Sequence, residues 1–378
     1  MANKFKKIIA ETARILLGCT FVFSGFVKAV DPLGGSYKFH DYFAAWGMDW
    51  LDFISLPASF GLSALEFVLG VCVLTGVYRK ITAWLILLFM CVMTPLTLYL
   101  AIFNPVTDCG CFGDAWVITN WQTFFKNVVL ITAAIFLLIW NQRITKIFYD
   151  RRNRWIAGGT VIFILGISLY CYLYLPLLDF RPYKIGNNIR ELMEIPGDAE
   201  ADIYETSLIY EKDGVQQKFT MQNYPKGDSS WTFVETLNTL IKKGYEPPIH
   251  DFTITTEEGD EITDLVLNDT SYTFLLIAHK LAKASDAHIE QINNLYDYAQ
   301  QNKYRFLCLT ASTPDEIETW RASAGAEYPF CITDDTTLKT IIRSNPGLML
   351  IKDATILKKW SDRRLPSEKE INLLKIKK

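Results

Sequence analysis

Charged residues are scarce in this sequence. Of its 378 residues, 21% are charged and 50% are hydrophobic, and the formal net charge is only −3. The lack of a basic excess excludes a protein that binds nucleic acid through a strongly positive surface. A mean hydropathy of +0.13 excludes an intrinsically disordered chain and is high for a water-soluble protein.

The two halves of the chain differ in charge density. Residues 1–180 contain 14 Lys and Arg and 10 Asp and Glu, whereas residues 181–378 contain 24 and 31. A helix needs about 20 mostly apolar residues to cross a bilayer. Five segments of the first half meet this requirement, at residues 8–30, 57–77, 81–106, 121–140 and 155–178. The sequence therefore predicts a membrane-spanning first half and a water-soluble second half.

Basic residues in the short loops predict the orientation of these spans. Ten Lys and Arg residues precede the first span or lie in the loops on the same side, whereas the opposite loops contain six Asp residues and only Lys38 as a basic residue. The positive-inside rule then predicts a cytoplasmic N-terminus and an extracytoplasmic second half. We expect the first span to remain uncleaved, because Glu11 and Arg14 interrupt the apolar core that a signal peptide needs.

Two of the eight cysteines lie close together in an outer loop. Cys109 and Cys111 occur in the segment Thr107-Asp-Cys-Gly-Cys-Phe-Gly-Asp114, in a compartment that permits disulfides. A Cys-Gly-Cys disulfide closes a very small ring, so we expect it to be strained and relatively oxidising. The spacing is consistent with a redox-active pair, a structural disulfide, a metal pair or free thiols, although no repeating Cys/His pattern of a metal site accompanies it.

Two charged side chains are expected inside the membrane. Lys28 ends the first span and Glu66 lies within the second, and because these spans run in opposite directions both charges fall in the outer half at similar depth. Intramembrane charges are energetically unfavourable and usually functional. A Lys28–Glu66 pair or a protonated Glu66 would reduce the penalty. The alternatives are a purely structural ion pair, and a Lys28 side chain that extends to the headgroups.

Four motifs in the first 150 residues are typical of one family. They are Gly25-Phe-Val-Lys28, Glu66 followed by Gly70, Gly76-Val-Tyr-Arg79, and Asp108-Cys-Gly-Cys-Phe-Gly113. With these motifs the segment resembles the DoxX/MauE family of four-helix membrane proteins. The resemblance implies a bundle related in architecture to quinone-linked disulfide-forming membrane proteins, and it implies that Cys109 and Cys111 are the redox pair. It further implies a role such as that of MauE in methylamine utilisation, a bacterial inner membrane with a periplasm outside, and a quinone as a possible cofactor.

The second half of the chain begins with turn-rich and alternating segments. Residues 179–245 are expected to form a linker and a small subdomain, with a β-hairpin over residues 203–221 and a helix over residues 231–243. From residue 246 onward, predicted strands alternate with helices, which favours a layered α/β domain. The strands are expected at residues 252–255, 272–279, 304–310, 328–333, 348–352 and 355–360, and the helices at residues 286–302, 314–323, 336–344 and 367–376.

Residues 245–376 resemble the thioredoxin fold. The resemblance rests on Pro247-Pro-Ile-His-Asp-Phe-Thr-Ile254 and on Asn345-Pro346-Gly-Leu-Met-Leu-Ile351, in which Pro346 takes the cis-proline position. The Cys-x-x-Cys of that family is missing, because Leu281 and Ala284 stand where the cysteines belong. We therefore expect a domain that does not exchange thiols by the usual route, with a groove beside Pro346 that holds a peptide or partner.

The predicted architecture is a membrane α-helical bundle followed by an α/β thioredoxin-like domain outside the membrane. The expected units are a four-helix DoxX/MauE-like domain, a fifth transmembrane helix, a linker subdomain and the thioredoxin-like domain, at residues 1–150, 151–178, 179–245 and 246–378.

The favoured function is a thiol–disulfide oxidoreductase or electron-transfer subunit. Cys109 and Cys111 would exchange with an extracytoplasmic protein client, and Glu66 would relay protons. The alternative is a non-enzymatic envelope scaffold whose thioredoxin-like domain binds a partner. A transporter is less well supported, because no pair of broken helices is visible. The expected partners are the lipid bilayer and an extracytoplasmic protein, without nucleic acid.

Overall fold

The computed structural model describes residues 2–148, 150–200, 203–242 and 244–376. The helices of the first half are α1 (Ala2–Val30), α2 (Pro32–Ala45), α3 (Ser55–Thr75), α4 (Arg79–Phe103), α5 (Asn120–Ile139) and α6 (Asn153–Leu173). Five of them, α1 and α3 to α6, are long and apolar enough to cross a membrane. The five predicted spans are therefore confirmed, each to within a few residues at its ends.

Helices α1 and α3 approach each other closely through glycine. A Cβ atom at Gly25 would lie 2.4 Å from the backbone nitrogen of Phe67, and one at Gly70 would lie 2.6 Å from that of Val22. These two positions require glycine because the opposing backbone cannot give way. The packing brings the polar residues of α1 next to those of α3.

The two charges that interrupt the first apolar run bind backbone at the end of the bundle opposite to the Cys-Gly-Cys loop. Arg14 Nη1 donates to the carbonyl of Leu74 at 2.8 Å, and Glu11 Oε1 accepts from the amide of Thr145 at 2.7 Å. Both charges thus join α1 to the ends of neighbouring helices. Their bonds explain how a span with two internal charges is stable in this bundle.

Helix α2 was not predicted, and it covers the end of the bundle that contains the Cys-Gly-Cys loop. Asp31 is its N-cap, and the Asp31 carboxylate accepts from the amide of Gly34 at 2.9 Å. Pro32 occupies the first turn, where its missing N–H leaves no helical bond unmade. This short capped helix holds the first outer loop in one conformation.

Residues 203–242 form an antiparallel sheet of three strands, β1 (Ile203–Lys212), β2 (Val215–Thr220) and β3 (Thr232–Lys242), in the order β2-β1-β3. The predicted hairpin is confirmed, but the helix predicted over residues 231–243 is wrong, since residues 232–242 are a strand; Lys243 lies outside the described residues. This segment contains several Thr residues with Phe233, Val234 and Ile241, which favour a strand. Pairing along β1 supplies the backbone partners that a local helix signal does not take into account.

A second sheet forms the C-terminal α/β domain. Its strands are β4 (Thr255–Thr256), β5 (Tyr272–Ile277), β6 (Arg305–Thr310), β7 (Phe330–Ile332), β8 (Gly347–Lys352) and β9 (Thr355–Ser361), in the order β4-β7-β6-β5-β8-β9. Strands β5, β6 and β7 are parallel, whereas β8 and β9 form an antiparallel hairpin beside β5. This order is that of a thioredoxin-like domain, as the sequence predicted.

Helices cover the second sheet, and its core has two sides. The remaining helices are α7 (Ile189–Met193), α8 (Thr263–Leu267), α9 (Ile289–Gln301), α10 (Pro314–Ala324), α11 (Asp335–Ile341) and α12 (Glu368–Ile376). Within β5, Phe274 and Leu276 belong to one buried cluster and Leu275 and Ile277 to the other, because successive strand residues face opposite sides. The strand predicted at residues 252–255 is wrong over residues 252–254, since β4 begins at Thr255.

Candidate functional site

The two thiols of the Cys-Gly-Cys segment are in contact. The Sγ atoms of Cys109 and Cys111 lie 3.2 Å apart in the loop between α4 and α5. Gly110 and Gly113 have φ angles of +64° and +50°, a backbone conformation that favours glycine. Two left-handed positions therefore fold the loop back so that both cysteines reach the same place. Cys109 is buried and Cys111 is half-buried.

Helix α2 contacts this loop through Lys38 and Tyr42. Lys38 Nζ lies 2.7 Å from Asp108 Oδ2, and Asp108 Oδ1 accepts from the amide of Gly110 at 2.8 Å. The Lys38 stem packs over Gly110, because a Cβ atom there would lie 3.2 Å from Lys38 Cγ. One helical turn further along α2, the Tyr42 hydroxyl donates to the carbonyl of Cys109 at 2.9 Å. Helix α2 therefore contacts the loop at Asp108, Cys109 and Gly110.

The two charged residues expected inside the membrane, Lys28 and Glu66, contact each other next to the Cys-Gly-Cys loop. Lys28 Nζ lies 2.7 Å from Glu66 Oε2, and the two side chains are 11% and 6% exposed. The two residues form an ion pair, and Lys28 does not extend to the headgroups. Of the arrangements that the sequence left open, the structure has the pair.

Ser24 connects this ion pair to Cys111. Its Oγ lies 2.7 Å from Glu66 Oε2 and 2.6 Å from the carbonyl oxygen of Cys111, and it accepts from Lys28 Nζ at 2.8 Å. The single Ser24 proton serves one of the two acceptors at a time. The hydroxyl can therefore switch between the backbone of the redox loop and the carboxylate.

A small cavity of about 30 Å³ opens beside Cys111, which is enough for a water molecule. It is also lined by Ser24, Glu66, Lys126 and Asn127. A water molecule here would have several polar partners.

Lys126 is a site residue that sequence analysis did not select. Its Nζ lies 4.3 Å from the centre of the Phe112 ring and borders the same cavity as Cys111. Because Phe112 directly follows Cys111, the Lys126 ammonium group lies near Cys111. The available signal was the charge of Lys126 itself, since it stands near the start of an otherwise uncharged span.

These surroundings make the two cysteines chemically different. The hydrogen bond from the Cys109 thiol lowers the pKa of Cys111 despite its burial, and the ammonium groups of Lys126 and Lys28 lower it further. The same hydrogen bond, together with burial, raises the pKa of Cys109. The lowered pKa of Cys111 favours a thiolate at this residue, with Cys109 as its hydrogen-bond donor. Burial also raises the pKa of Tyr42, which keeps its hydroxyl a donor.

The C-terminal domain has no thiol at the position of the family's cysteines. Leu281 begins a short 3₁₀ turn, is buried, and donates its amide to Ser312 Oγ at 2.9 Å. Asn345 precedes the cis peptide to Pro346, and its side chain donates to the carbonyl of Lys280 at 2.8 Å. The cis-proline assignment is thus confirmed. Cys308 and Cys331 are buried within β6 and β7.

The described residues contain no group of three or more His, Cys, Asp or Glu side chains arranged to hold a metal ion. What the site brings together is two thiols, a carboxylate, a hydroxyl and two ammonium groups. This set of groups can move electrons and protons through sulfur chemistry.

Comparison with known proteins assigns the membrane half to a family. Residues 6–140 match the family described as methylamine utilisation protein MauE, and residues 204–243 match a domain of unknown function, DUF8463. No curated protein matches the chain. The segment that matches the MauE model contains Cys109, Cys111, Lys28, Glu66 and Lys126.

The similarity to a solved structure is low in both sequence identity and TM-score. The chain is similar to a candidate protein disulfide isomerase from Bacteroides thetaiotaomicron, known from its solution structure, at 18% identity over 33% of this chain and 82% of that chain. The TM-score of 0.26 is too low to carry an argument. The thioredoxin-like assignment therefore rests on the order and direction of the strands.

Proposed function

We propose that this protein is a membrane thiol–disulfide oxidoreductase that forms disulfides in an extracytoplasmic client protein through Cys109 and Cys111. The observation that carries the proposal is the contact of the two Sγ atoms, 3.2 Å apart, above a cavity that also reaches Glu66 and Lys126. Two thiols at this separation can form a disulfide with little movement of the loop. A MauE domain over residues 6–140 is consistent with this chemistry.

The exchange begins with a client thiolate that attacks Cys109 Sγ in the oxidised pair. The Cys109–Cys111 bond breaks, Cys111 leaves as a thiolate, and a mixed disulfide joins the client to Cys109. Attack at Cys109 is favoured because a thiol of low pKa is the better leaving group, and Cys111 is that thiol. A second client thiolate then attacks the client sulfur and expels Cys109. The client loses two electrons and the pair gains them.

Reoxidation of the pair completes the cycle. The Cys111 thiolate and the Cys109 thiol give two electrons and one proton to a two-electron acceptor that is soluble in the lipid. A quinone fits this requirement, and it takes its second proton from water to become a quinol. Glu66 is the proposed acceptor of the proton that leaves the pair, because Glu66 and Cys111 line the same cavity. Lys126 and Lys28 stabilise the Cys111 thiolate in both half-reactions.

The proposal includes an orientation and a setting. The Cys-Gly-Cys loop lies at the end of the bundle that the thioredoxin-like domain contacts, since Asp114 of the loop lies 3.4 Å from Arg343 of that domain. The distribution of basic loops supports a cytoplasmic N-terminus, so this end faces the periplasm of a bacterial inner membrane. The family's description suggests a client in methylamine utilisation. We retain residues 1–150, 151–178, 179–245 and 246–378 as the proposed units.

Cysteine replacements in membranes that contain the client test this function. Cys109→Ser and Cys111→Ser should each abolish client disulfide formation while the protein remains abundant. Cys171→Ser, which replaces a buried cysteine in α6, is the matched control and should keep the activity. Normal client oxidation in either loop variant would contradict the proposal.

A non-enzymatic envelope scaffold is the second candidate. It is favoured by one observation, the presence of Leu281 and Ala284 where redox cysteines belong in the C-terminal domain. In that case Cys109 and Cys111 would only close the loop between α4 and α5. The scaffold would bind its partner normally after Cys109→Ser, which separates it from the oxidoreductase.

A further inference from the structure

Arg343 of the thioredoxin-like domain binds two carboxylates of the membrane domain. Its Nε lies 3.0 and 2.9 Å from the two carboxylate oxygens of Asp31, and its Nη2 lies 2.8 Å from Asp31 Oδ2 and 3.4 Å from Asp114 Oδ2. Its guanidinium also lies over the ring of Tyr37, 5.3 Å from the centre. The Arg343 side chain is only 7% exposed. A buried contact through two guanidinium nitrogens fixes the relative orientation of Arg343 and Asp31 and also pairs their charges.

Asp31 is connected to the redox pair through two helices. It follows the last residue of α1, which supplies the Ser24 bond to the Cys111 carbonyl, and it caps α2, which supplies the Tyr42 bond to the Cys109 carbonyl. Asp31 therefore lies at the junction of the two helices that bind the Cys-Gly-Cys segment.

Asp114 approaches the pair from the other side. It lies three residues after Cys111, in the 3₁₀ turn Gly113–Ala115 that ends the redox loop. Arg343 thus joins the corner between α1 and α2 to the loop that contains the two cysteines. The contact with Asp31 spans 312 residues of sequence.

The charges at this junction depend on the guanidinium. Burial alone would raise the pKa of Asp31, but Arg343 and Arg181 hold it below its ordinary value. Burial raises the pKa of Asp114 even with Arg343 nearby. Without Arg343, two carboxylates would share a poorly hydrated site and repel each other. The more exposed one, Asp114, would move outward and carry the redox loop with it.

We propose that Arg343 is a positioning residue for the Cys109–Cys111 pair. The thioredoxin-like domain, which has no redox cysteines at the usual positions, then serves to hold the redox loop of the membrane domain in the geometry that keeps the two thiols in contact. Thiols held together form a disulfide more readily than thiols on a loose loop. The inference rests on the proposed redox role of the pair, and it predicts that loss of Arg343 makes the disulfide easier to reduce.

The test is the equilibrium of the full-length Arg343→Gln protein, in native membranes, with a dithiol buffer. Thiols are trapped by alkylation and the modified peptides are mapped. We expect the equilibrium constant to shift at least tenfold toward the reduced pair, which is about 30 mV for a two-electron couple. Arg343→Lys, which keeps the charge without the fork, should restore part of the shift. A folded Arg343→Gln protein within twofold of wild type would overturn the proposal.

Further variants keep the test decisive if Arg343→Gln does not fold. Asp114→Asn changes a side chain that is 44% exposed, and it should shift the equilibrium in the same direction by a smaller factor. Combining it with Arg343→Gln should add little to the Arg343→Gln shift, since both remove the same contact. Arg364→Gln, at an exposed arginine of the same domain, is the matched control and should stay within twofold of wild type. An unchanged equilibrium in Asp114→Asn would count against the proposal.

The outcome does not depend on the client. The titration measures the pair itself, so a shift in Arg343→Gln supports the positioning role. If Cys109→Ser kept client oxidation, the proposed function would fail separately. If the cysteine variants lost activity but Arg343→Gln kept the wild-type equilibrium, only the positioning role would fail.

Discussion

Lys28 Nζ and Glu66 Oε2 lie 2.7 Å apart in the bundle, next to the Cys-Gly-Cys loop. The pair joins α1 to α3, and both residues share Ser24 as a hydrogen-bond partner. Each side chain compensates the charge of the other at a buried position where water could not solvate either one well. The Ser24 hydroxyl also links the Glu66 carboxylate to the backbone carbonyl of Cys111.

We predict that Glu66→Gln destabilises the protein and slows reoxidation of the pair. Removing one partner of a buried ion pair leaves an unpaired charge and costs about 3–5 kcal/mol. The Lys28→Met/Glu66→Gln double variant should be more stable than Glu66→Gln alone, because no unpaired ammonium remains. Thermal unfolding in lipid nanodiscs measures the first effect and single-turnover oxidation the second. A double variant no more stable than the single one would contradict the pairing.

We predict that Cys111 of the reduced protein reacts with iodoacetamide at lower pH than an ordinary thiol, whose pKa is about 8.5. The pKa of Cys111 is lowered by the Cys109 hydrogen bond and by Lys126, so its thiolate persists as the pH falls. Lys126→Met and Cys109→Ser should each move the alkylation midpoint upward. The pH profile of labelling, read by mass mapping, gives the midpoint. A profile unaltered by both substitutions would show that these neighbours do not stabilise the thiolate.

We predict that Lys38→Ala speeds the reaction of Cys109 with bulky thiol reagents severalfold. The Lys38 stem covers Gly110 and its ammonium bonds to Asp108, so truncation opens the outer approach to the loop. Asp41→Ala, at an exposed position on the same helix, is the control. Stopped-flow kinetics with a bulky disulfide reagent measures the change. Equal rates for Lys38→Ala and the wild type would mean that Lys38 does not limit access.

We predict that Lys359 makes the C-terminal domain more stable as the pH rises from about 8 to about 10.4, the ordinary lysine value. Burial lowers the pKa of Lys359 to about 8, although Asp179 lies 2.8 Å away. In this range the unfolded chain holds more protons than the folded one, so the free energy of unfolding increases with pH. Lys359→Met should remove this part of the slope, whereas Lys358→Met should keep it. Denaturant unfolding at several pH values tests both.

Much of this molecule is readable from its sequence because the strongest signals are local. Mostly apolar runs of about 20 residues indicate the spans, and the Cys109-Gly-Cys111 spacing indicates a pair of neighbouring cysteines. Opposite helix directions place Lys28 and Glu66 at similar depth, with an ion pair as one of the arrangements that this depth allows. Local patterns also misled, since the segment after Trp231 becomes a strand only through pairing with β1.

Contacts between distant segments could not be predicted in the same way. Lys126 reaches the Cys111 cavity from α5, and Arg343 reaches Asp31 across 312 residues. Such contacts depend on how helices pack and domains dock, which no single-sequence periodicity encodes. Helix α2 was not predicted because Gly34 and Gly35 have low helix propensity, although Asp31 caps the helix.

The most direct test of the central claim is the reduction potential of the Cys109–Cys111 pair in intact membranes. Dithiol titration with alkylation trapping and peptide mapping gives this value. Because the Cys111 thiolate is stabilised, we predict a reversible couple on the order of −100 to −200 mV, in the range of disulfide donors. A pair that stays oxidised below about −300 mV, or that never forms a mutual disulfide, would contradict the claim.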